Sequence, residues 1–340
     1  MASQLLAVVA DDGGRHDEQV GELEVVEADE RDLVLEAPEG AQCADRVAVV
    51  AGEDRGGPPV RRQGEQLADH ALGRVGGVGV EPDEVGVDLD AGERLPVHFH
   101  PGREFAHRHL GLDHGKTEAW IILEAEPGAK VHAGFAEDVD LDTVRGWMDA
   151  QDTAAMLAAL RELAVAPGDA IFIPGGTPHA IGEGILLVEL QEPEDLSINL
   201  EWSGFPLTSE GSNLGLGWDR ALEALDRTAW DDERLASITH PGAAPSILGS
   251  EADPYFRAEH LEGGAPLDAG FSILVVTDGS GALRTAGGEL ALQRGSAVLV
   301  PHGAGEGELT GELTVLRSRP ADPSSPEASE AVTSPPGEAR

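Results

Sequence analysis

The chain has 340 residues, with 23 Lys and Arg against 63 Asp and Glu, and a formal net charge of −40. Such acidity excludes nucleic acid as a partner, because a polyphosphate needs a basic face, and no apolar run approaches the roughly 20 residues of a membrane-spanning helix. A single cysteine, Cys43, leaves no internal disulfide framework. The opening "MASQLLAVVADDGG" lacks the basic start and apolar length of a signal peptide. The expectation is a soluble cytoplasmic protein without nucleic-acid or membrane partners, a monomer or homodimer.

In chain order, residues 1–87 form an anomalous acidic, aromatic-free segment. The first 98 residues contain no Phe, Trp, Tyr, Ile, Lys, Asn or Thr, and Val alone supplies the β-branched residues that strands and cores draw on. Three readings stay open. The segment is disordered, because sequence of this kind buries little. Or it is a small Val-rich domain, since "GELEVVEADERDLVLEAPEG" alternates as a hairpin does. Or it is not genuine coding sequence: most of the missing residues have AT-rich codons, as in a GC-rich gene read in a wrong frame.

From about residue 88 to 319 the texture changes. Short apolar runs ("AWIILEA", "DAIFIPGG", "GILLVELQ", "GFSILVVTDG", "GSAVLVPHG") are separated by Gly, Pro and Asp turns, which predicts a mainly β sandwich or barrel. Between them, "DLDTVRGWMDA" and "DTAAMLAALRELAV" space their apolar residues as helices do, with Asp152 as the N-cap of the second. "NLGLGWDRALEALD" predicts a further helix. Residues 320–340, rich in Pro, Ser and Glu, are expected to be disordered.

The chemistry concentrates in two stretches. In "AGERLPVHFHPG", His98 and His100 share one strand face and Phe99 takes the other. In "GDAIFIPGGTPHAIG", Gly168 stands five residues before Pro174, and Gly176 and His179 follow. Together they read G-x5-H-x-H then G-x5-P-x-G-x2-H, which resembles the two-part signature of the cupins. In such a fold two strands on opposite walls of a small barrel aim imidazoles at one point. A carboxylate is available at Glu104, in a charged stretch, or at Glu118, which opens an apolar strand in "GKTEAWIIL".

"LPVHFHP", "GKTEAWIIL" and "VAPGDAIFIPGGTPHAIGEGILLVELQEPED" together resemble the type I mannose-6-phosphate isomerases, strongly over residues 88–205 and more weakly to about 318. The resemblance implies two tandem double-stranded β-helix (cupin) barrels. The first, residues 88–205, binds metal and carries a helical insertion over about 138–165; the second, over 206–319 with a linker helix, is degenerate and metal-free. Metal ligands are carried over onto His98, His100, Glu118 and His179. Three imidazoles and a carboxylate suit one Zn2+ per chain, with Mn2+, Fe2+ or Co2+ as alternatives. The implied reaction is an aldose–ketose interconversion of a sugar or sugar phosphate through an enediol. Lys116, two residues from Glu118, and Glu189, in "LLVELQE", are the candidate catalytic residues. The alternatives are a non-catalytic sugar-binding cupin, or another metal-cupin enzyme such as a dioxygenase. His107, His109 and His114 are read as surface or rim residues.

The sequence departs from that pattern at three places. His98 replaces a glutamine ligand, Pro96 replaces a serine that contacts phosphate, and Asn199 stands where the family has an arginine that acts on substrate charge. Arg103, Arg108 and Lys130 are the cations offered in compensation. In the second barrel Gly295 and Pro301 keep part of the spacing, and Glu306 occupies the position of the histidine.

Overall fold

A computed structural model describes residues 94–241 and 246–321, together with the backbone of four short strands before them. The fold is mainly β, as expected. Two antiparallel sheets face each other in the first half. One has six strands, in the order Thr239–Pro241, Asp169–Ile173, Glu118–Ala125, Ile185–Gln191, Leu6–Ala10 and Ala48–Val50. The other has five, in the order Ile198–Asn199, His98–Phe99, His179–Ile181, Lys130–Phe135 and Leu160–Ala164.

The apolar runs are continuous because the six-stranded sheet is buried on both faces. Ala119, Ile121, Val188 and Leu190 share a face by alternation. Their cluster takes in Phe256, Ala258, Ile273 and Leu316 from a third sheet. The opposite face carries Glu118, Trp120, Glu189 and Gln191 and looks toward the five-stranded sheet. The outer face of that second sheet is covered by the helical insertion: Phe99, Phe135 and Ile198 pack with Val144, Met148 and Met156. Burying Phe99 outward turns its neighbours His98 and His100 toward the space between the sheets.

The insertion departs from the sequence reading in one respect. Helices run over Leu141–Ala150, capped by Asp140, and Thr153–Ala159, capped by Asp152, whose side chain accepts from the Ala155 N–H at 3.0 Å. The predicted continuation through "LRELA" is instead the strand Leu160–Ala164, which pairs with Lys130–Phe135. Leu160 and Leu163 lie opposite Phe135 and Val131. Completing that open sheet edge outweighs the helix propensity of Leu, Arg and Glu.

The third sheet is built on two 14-residue strands, Ser272–Thr285 and Gly307–Pro320, which pair from Ile273↔Ser318 to Thr285↔Gly307. It encloses its own apolar core of Leu274, Val276, Leu292, Val298, Leu309 and Val315. Near the N-terminus, Val25–Ala28 pairs antiparallel with Asp32–Leu35. The strand Leu6–Ala10 lies along Ile185–Gln191 with Val8 opposite Glu189, a pairing the sequence reading does not anticipate. The rest of residues 1–87, and the tail from 322, lie outside the described residues. Among the described residues no helix is long and apolar enough to cross a membrane.

Candidate active site

His98 and His179 are direct partners in antiparallel register on adjacent strands, so their side chains leave the sheet on the same face. His100 follows at the end of its strand. All three are buried. Each Nδ1 faces a backbone carbonyl: His98 to Pro96 O at 2.7 Å, His100 to Leu196 O at 3.1 Å, His179 to Thr177 O at 2.8 Å. A carbonyl only accepts, so each Nδ1 carries the proton and each Nε2 presents a lone pair. The backbone thus fixes the tautomer that a metal ligand needs. Pro96 lacks a hydroxyl, yet its carbonyl orients His98.

The three lone pairs converge, with ligand atoms all within 4.8 Å of one another. His98 and His179 bring their Nε2 atoms to 3.1 Å. Glu118, 1% exposed, approaches from the facing sheet, with Oε1 3.0 Å from His100 Nε2 and Oε2 3.7 Å from His179 Nε2. His100 Nε2 and both Glu118 oxygens have no hydrogen-bond partner. Burial drives the pKa values of His98, His100 and His179 well below the ordinary histidine value, and charged neighbours add to this. The imidazoles are therefore neutral. Neutral nitrogen lone pairs and a carboxylate facing one another in a dry space repel unless a cation lies among them. The donor set fits a metal ion.

Backbone packing holds the two walls together. Gly115 lies so close to the His100 loop that a Cβ there would sit 2.6 Å from Pro101 O and 2.7 Å from Arg103 N. The neighbouring Lys116 N–H donates to Pro101 O at 3.1 Å, and Gly176 N–H donates to His100 O at 2.6 Å. These contacts give the glycines of both motifs a physical reason.

Lys116 and Glu189 both reach this side. Lys116 Nζ is 3.5 Å from Glu118 Oε1, 3.9 Å from Asp195 Oδ1 and 3.5 Å from Ser197 Oγ. Burial opposes its charge, but Glu118, Asp195 and Glu189 outweigh that and raise its pKa above the ordinary lysine value. Glu189 stands opposite Trp120, and Gln191 opposite Glu118, in the strand register. The Trp120 indole N–H donates to Glu189 Oε1 at 3.0 Å. Burial, reinforced by the Glu118 charge, pushes the Glu189 pKa up to about 8. Burial also raises Glu118, against the pull of Lys116.

Other candidates fall elsewhere. His107 is exposed on the helix Arg103–Leu110, His109 is partly exposed, and His114 lies 3.8 Å from Glu192. Glu104 pairs with Arg108 on the surface, which removes it as a ligand. Lys130 bonds Glu162 at 2.6 Å. Arg103 donates to Glu192 at 2.5 Å and to Pro254 O at 3.0 Å, and its guanidinium stacks on Tyr255. Glu306 is exposed. Among the described residues, His98, His100 and His179 form the group of three potential ligands close enough to share one ion.

Glu192 escaped the sequence reading. It is 1% exposed, and its carboxylate accepts from Arg103 and from the Thr117 N–H at 3.0 Å. It ties the "GKTE" loop, the metal-side helix and the third sheet's approach segment together. The only sequence signal was a second acid after Gln191 at the end of an apolar strand.

Known proteins similar to this chain share one description. Residues 259–320 match the model of the mannose-6-phosphate isomerase cupin domain. Mannose-6-phosphate isomerase ManA of Bacillus subtilis is 28% identical over 232 residues, 66% of this chain and 70% of that protein. Mannose-6-phosphate isomerase of Streptococcus mutans is 26% identical over 234 residues, 68% of this chain and 72% of that protein. The chain is similar to the mannose-6-phosphate isomerases. The crystal structure of the Bacillus subtilis mannose 6-phosphate isomerase superposes with a TM-score of 0.56 at 20% identity, covering 94% of this chain and all of that one. This likeness shows a shared overall fold.

Proposed function

We propose that the chain is a metal-dependent aldose–ketose isomerase of the mannose-6-phosphate isomerase type, interconverting mannose 6-phosphate and fructose 6-phosphate or a related sugar pair. The observation that carries this reading is the convergence of three neutral Nε2 atoms and the Glu118 carboxylate beside Glu189 and Lys116. His98, His100, His179 and Glu118 would hold the ion, and zinc suits this nitrogen-rich set best. Bound there, it supplies Lewis-acid polarisation and a template for the sugar oxygens.

The chain's own groups move the proton. Glu189 as carboxylate removes the proton from C2 of the aldose, and the electron pair forms the C1–C2 double bond of an enediolate. The O2 hydroxyl proton passes to O1 and the same carboxyl returns its proton to C1, so that C2–O2 becomes the carbonyl of the ketose. A group with a pKa near the working pH both takes and gives a proton efficiently. The Trp120 N–H fixes the carboxyl's orientation, and the Lys116 ammonium offsets negative charge developing on the sugar oxygens. Burial keeps bulk water from competing.

Metal analysis coupled to an isomerase assay tests the reading. Wild-type protein is expected to hold one ion and to interconvert the sugars, and Glu118→Ala to lose both. A protein that interconverts no hexose or hexose phosphate when zinc-loaded contradicts the proposal. Metal retained in Glu118→Ala removes Glu118 from the ligand set.

A further inference from the structure

We propose that the sugar this site takes is an uncharged hexose and not its phosphate. The inference rests on the isomerase reading and concerns the charge inventory around the imidazoles.

Among the described residues, every cation near the site faces a carboxylate of the chain itself. Lys116 lies between Glu118 at 3.5 Å and Asp195 at 3.9 Å. Arg103 holds Glu192 at 2.5 Å, and its remaining contacts are Pro254 O and the Tyr255 ring. Arg94, on the strand approach to His98, forms a two-nitrogen pair with Glu201, which is 1% exposed. Freeing any of these guanidiniums for a ligand would leave a buried carboxylate unpaired.

The cations around the imidazoles are thus already paired within the chain. A phosphate ester brings about −1.5 to −2 further charges near neutral pH, and the exposed Asp195 carboxylate already stands 3.9 Å from Lys116 Nζ.

The wall beside the histidines is neutral as well. Asn199 stands directly across from His98 in antiparallel register and is buried. It therefore leaves the sheet on the imidazole side. Its amide offers donors and an acceptor, and Ser197 adds a hydroxyl near Lys116 and His100. Amide and hydroxyl groups match sugar hydroxyls; neither neutralises a dianion.

The test uses the full chain loaded with zinc, with D-mannose and mannose 6-phosphate as probes, measuring kcat/KM and calorimetric binding for each. The expected result is a kcat/KM for mannose at least about tenfold above that for the phosphate, a gap set by one uncompensated charge pair. A preference for the phosphate overturns the proposal. Turnover of neither sugar sinks the isomerase reading instead, and binding then decides this proposal: tighter mannose upholds it, tighter phosphate overturns it. Asn199→Arg supplies a cation on the imidazole side and is expected to move the ratio about tenfold toward the phosphate. If that variant does not fold, the wild-type ratio stands as the test.

Discussion

His98 stands directly across from His179 in antiparallel register, and their Nε2 atoms are 3.1 Å apart with both Nδ1 protons committed to backbone carbonyls. Two lone pairs at that distance need a cation between them. Replacing either residue, as His179→Ala, is expected to lower metal affinity by more than the roughly 10–100-fold that loss of an outer-shell partner costs. Equilibrium dialysis with elemental analysis measures this. Removing the ion from wild type with a chelator is expected to lower Tm, because the ion binds only the folded arrangement.

Glu189→Gln keeps the shape of the side chain and removes the base. We expect kcat to fall by about 10²–10⁴-fold while the protein still holds one ion. Steady-state kinetics with metal analysis checks it. A variant with wild-type kcat moves the proton transfer elsewhere.

Trp120 acts through Glu189. Its indole N–H donates to the carboxylate at 3.0 Å and so favours the charged form. Trp120→Phe takes that donor away, so the Glu189 pKa is expected to rise further. The basic form would then appear at higher pH, and the rising limb of the kcat–pH profile is expected to shift upward. A lower kcat with an unshifted profile would point to packing loss alone.

Gly115→Ala places a Cβ against Pro101 O and Arg103 N, both backbone atoms. Neither can swing aside, so the "GKTE" loop is expected to move away from the His100 wall. The expected cost is about 1–3 kcal/mol of stability together with weakened metal binding, read by denaturant titration and dialysis.

The third sheet carries a pH-sensitive tie far from the metal side. Burial opposes the charge on Asp268, but hydrogen bonds from Arg317 and Arg319 outweigh it and lower its pKa from 3.8 to about 2. A carboxyl whose folded pKa is depressed stabilises the fold above its unfolded pKa and loses that contribution as pH falls through the folded one. The contribution is thus present above about pH 4 and is lost down to about pH 2. Asp268→Asn is expected to flatten the acid limb of stability in that window, followed by thermal melts across pH.

Much of the site was legible because its residues sit at fixed offsets on strands. His98 and His100 could be placed on one face from the period of two, with Phe99 on the other, and His179 from the resemblance to the two-part cupin spacing. Glu118 came from the resemblance carried by "GKTE", and Lys116 from its two-residue offset to Glu118. Glu192, Trp120 and the Pro96 carbonyl were not legible. Each acts through a partner distant in sequence, and nothing local marks a buried carboxylate that ties Arg103 to Thr117. The strand at Leu160–Ala164 was missed for a related reason. Its local pattern suits a helix, and only the open edge of Lys130–Phe135 makes it a strand. The pairing of Leu6–Ala10 with Ile185–Gln191 was likewise set by an edge that the N-terminal sequence does not reveal.

The central claim is that three imidazoles and Glu118 assemble a metal-dependent isomerase. Titrating zinc into the dialysed full-length protein, while following aldose–ketose interconversion by proton nuclear magnetic resonance, tests it most directly. The account predicts no turnover without metal and a rate that rises to a plateau at one ion per chain. Full activity in the dialysed protein, or none at any zinc level with either hexose or hexose phosphate, would contradict it.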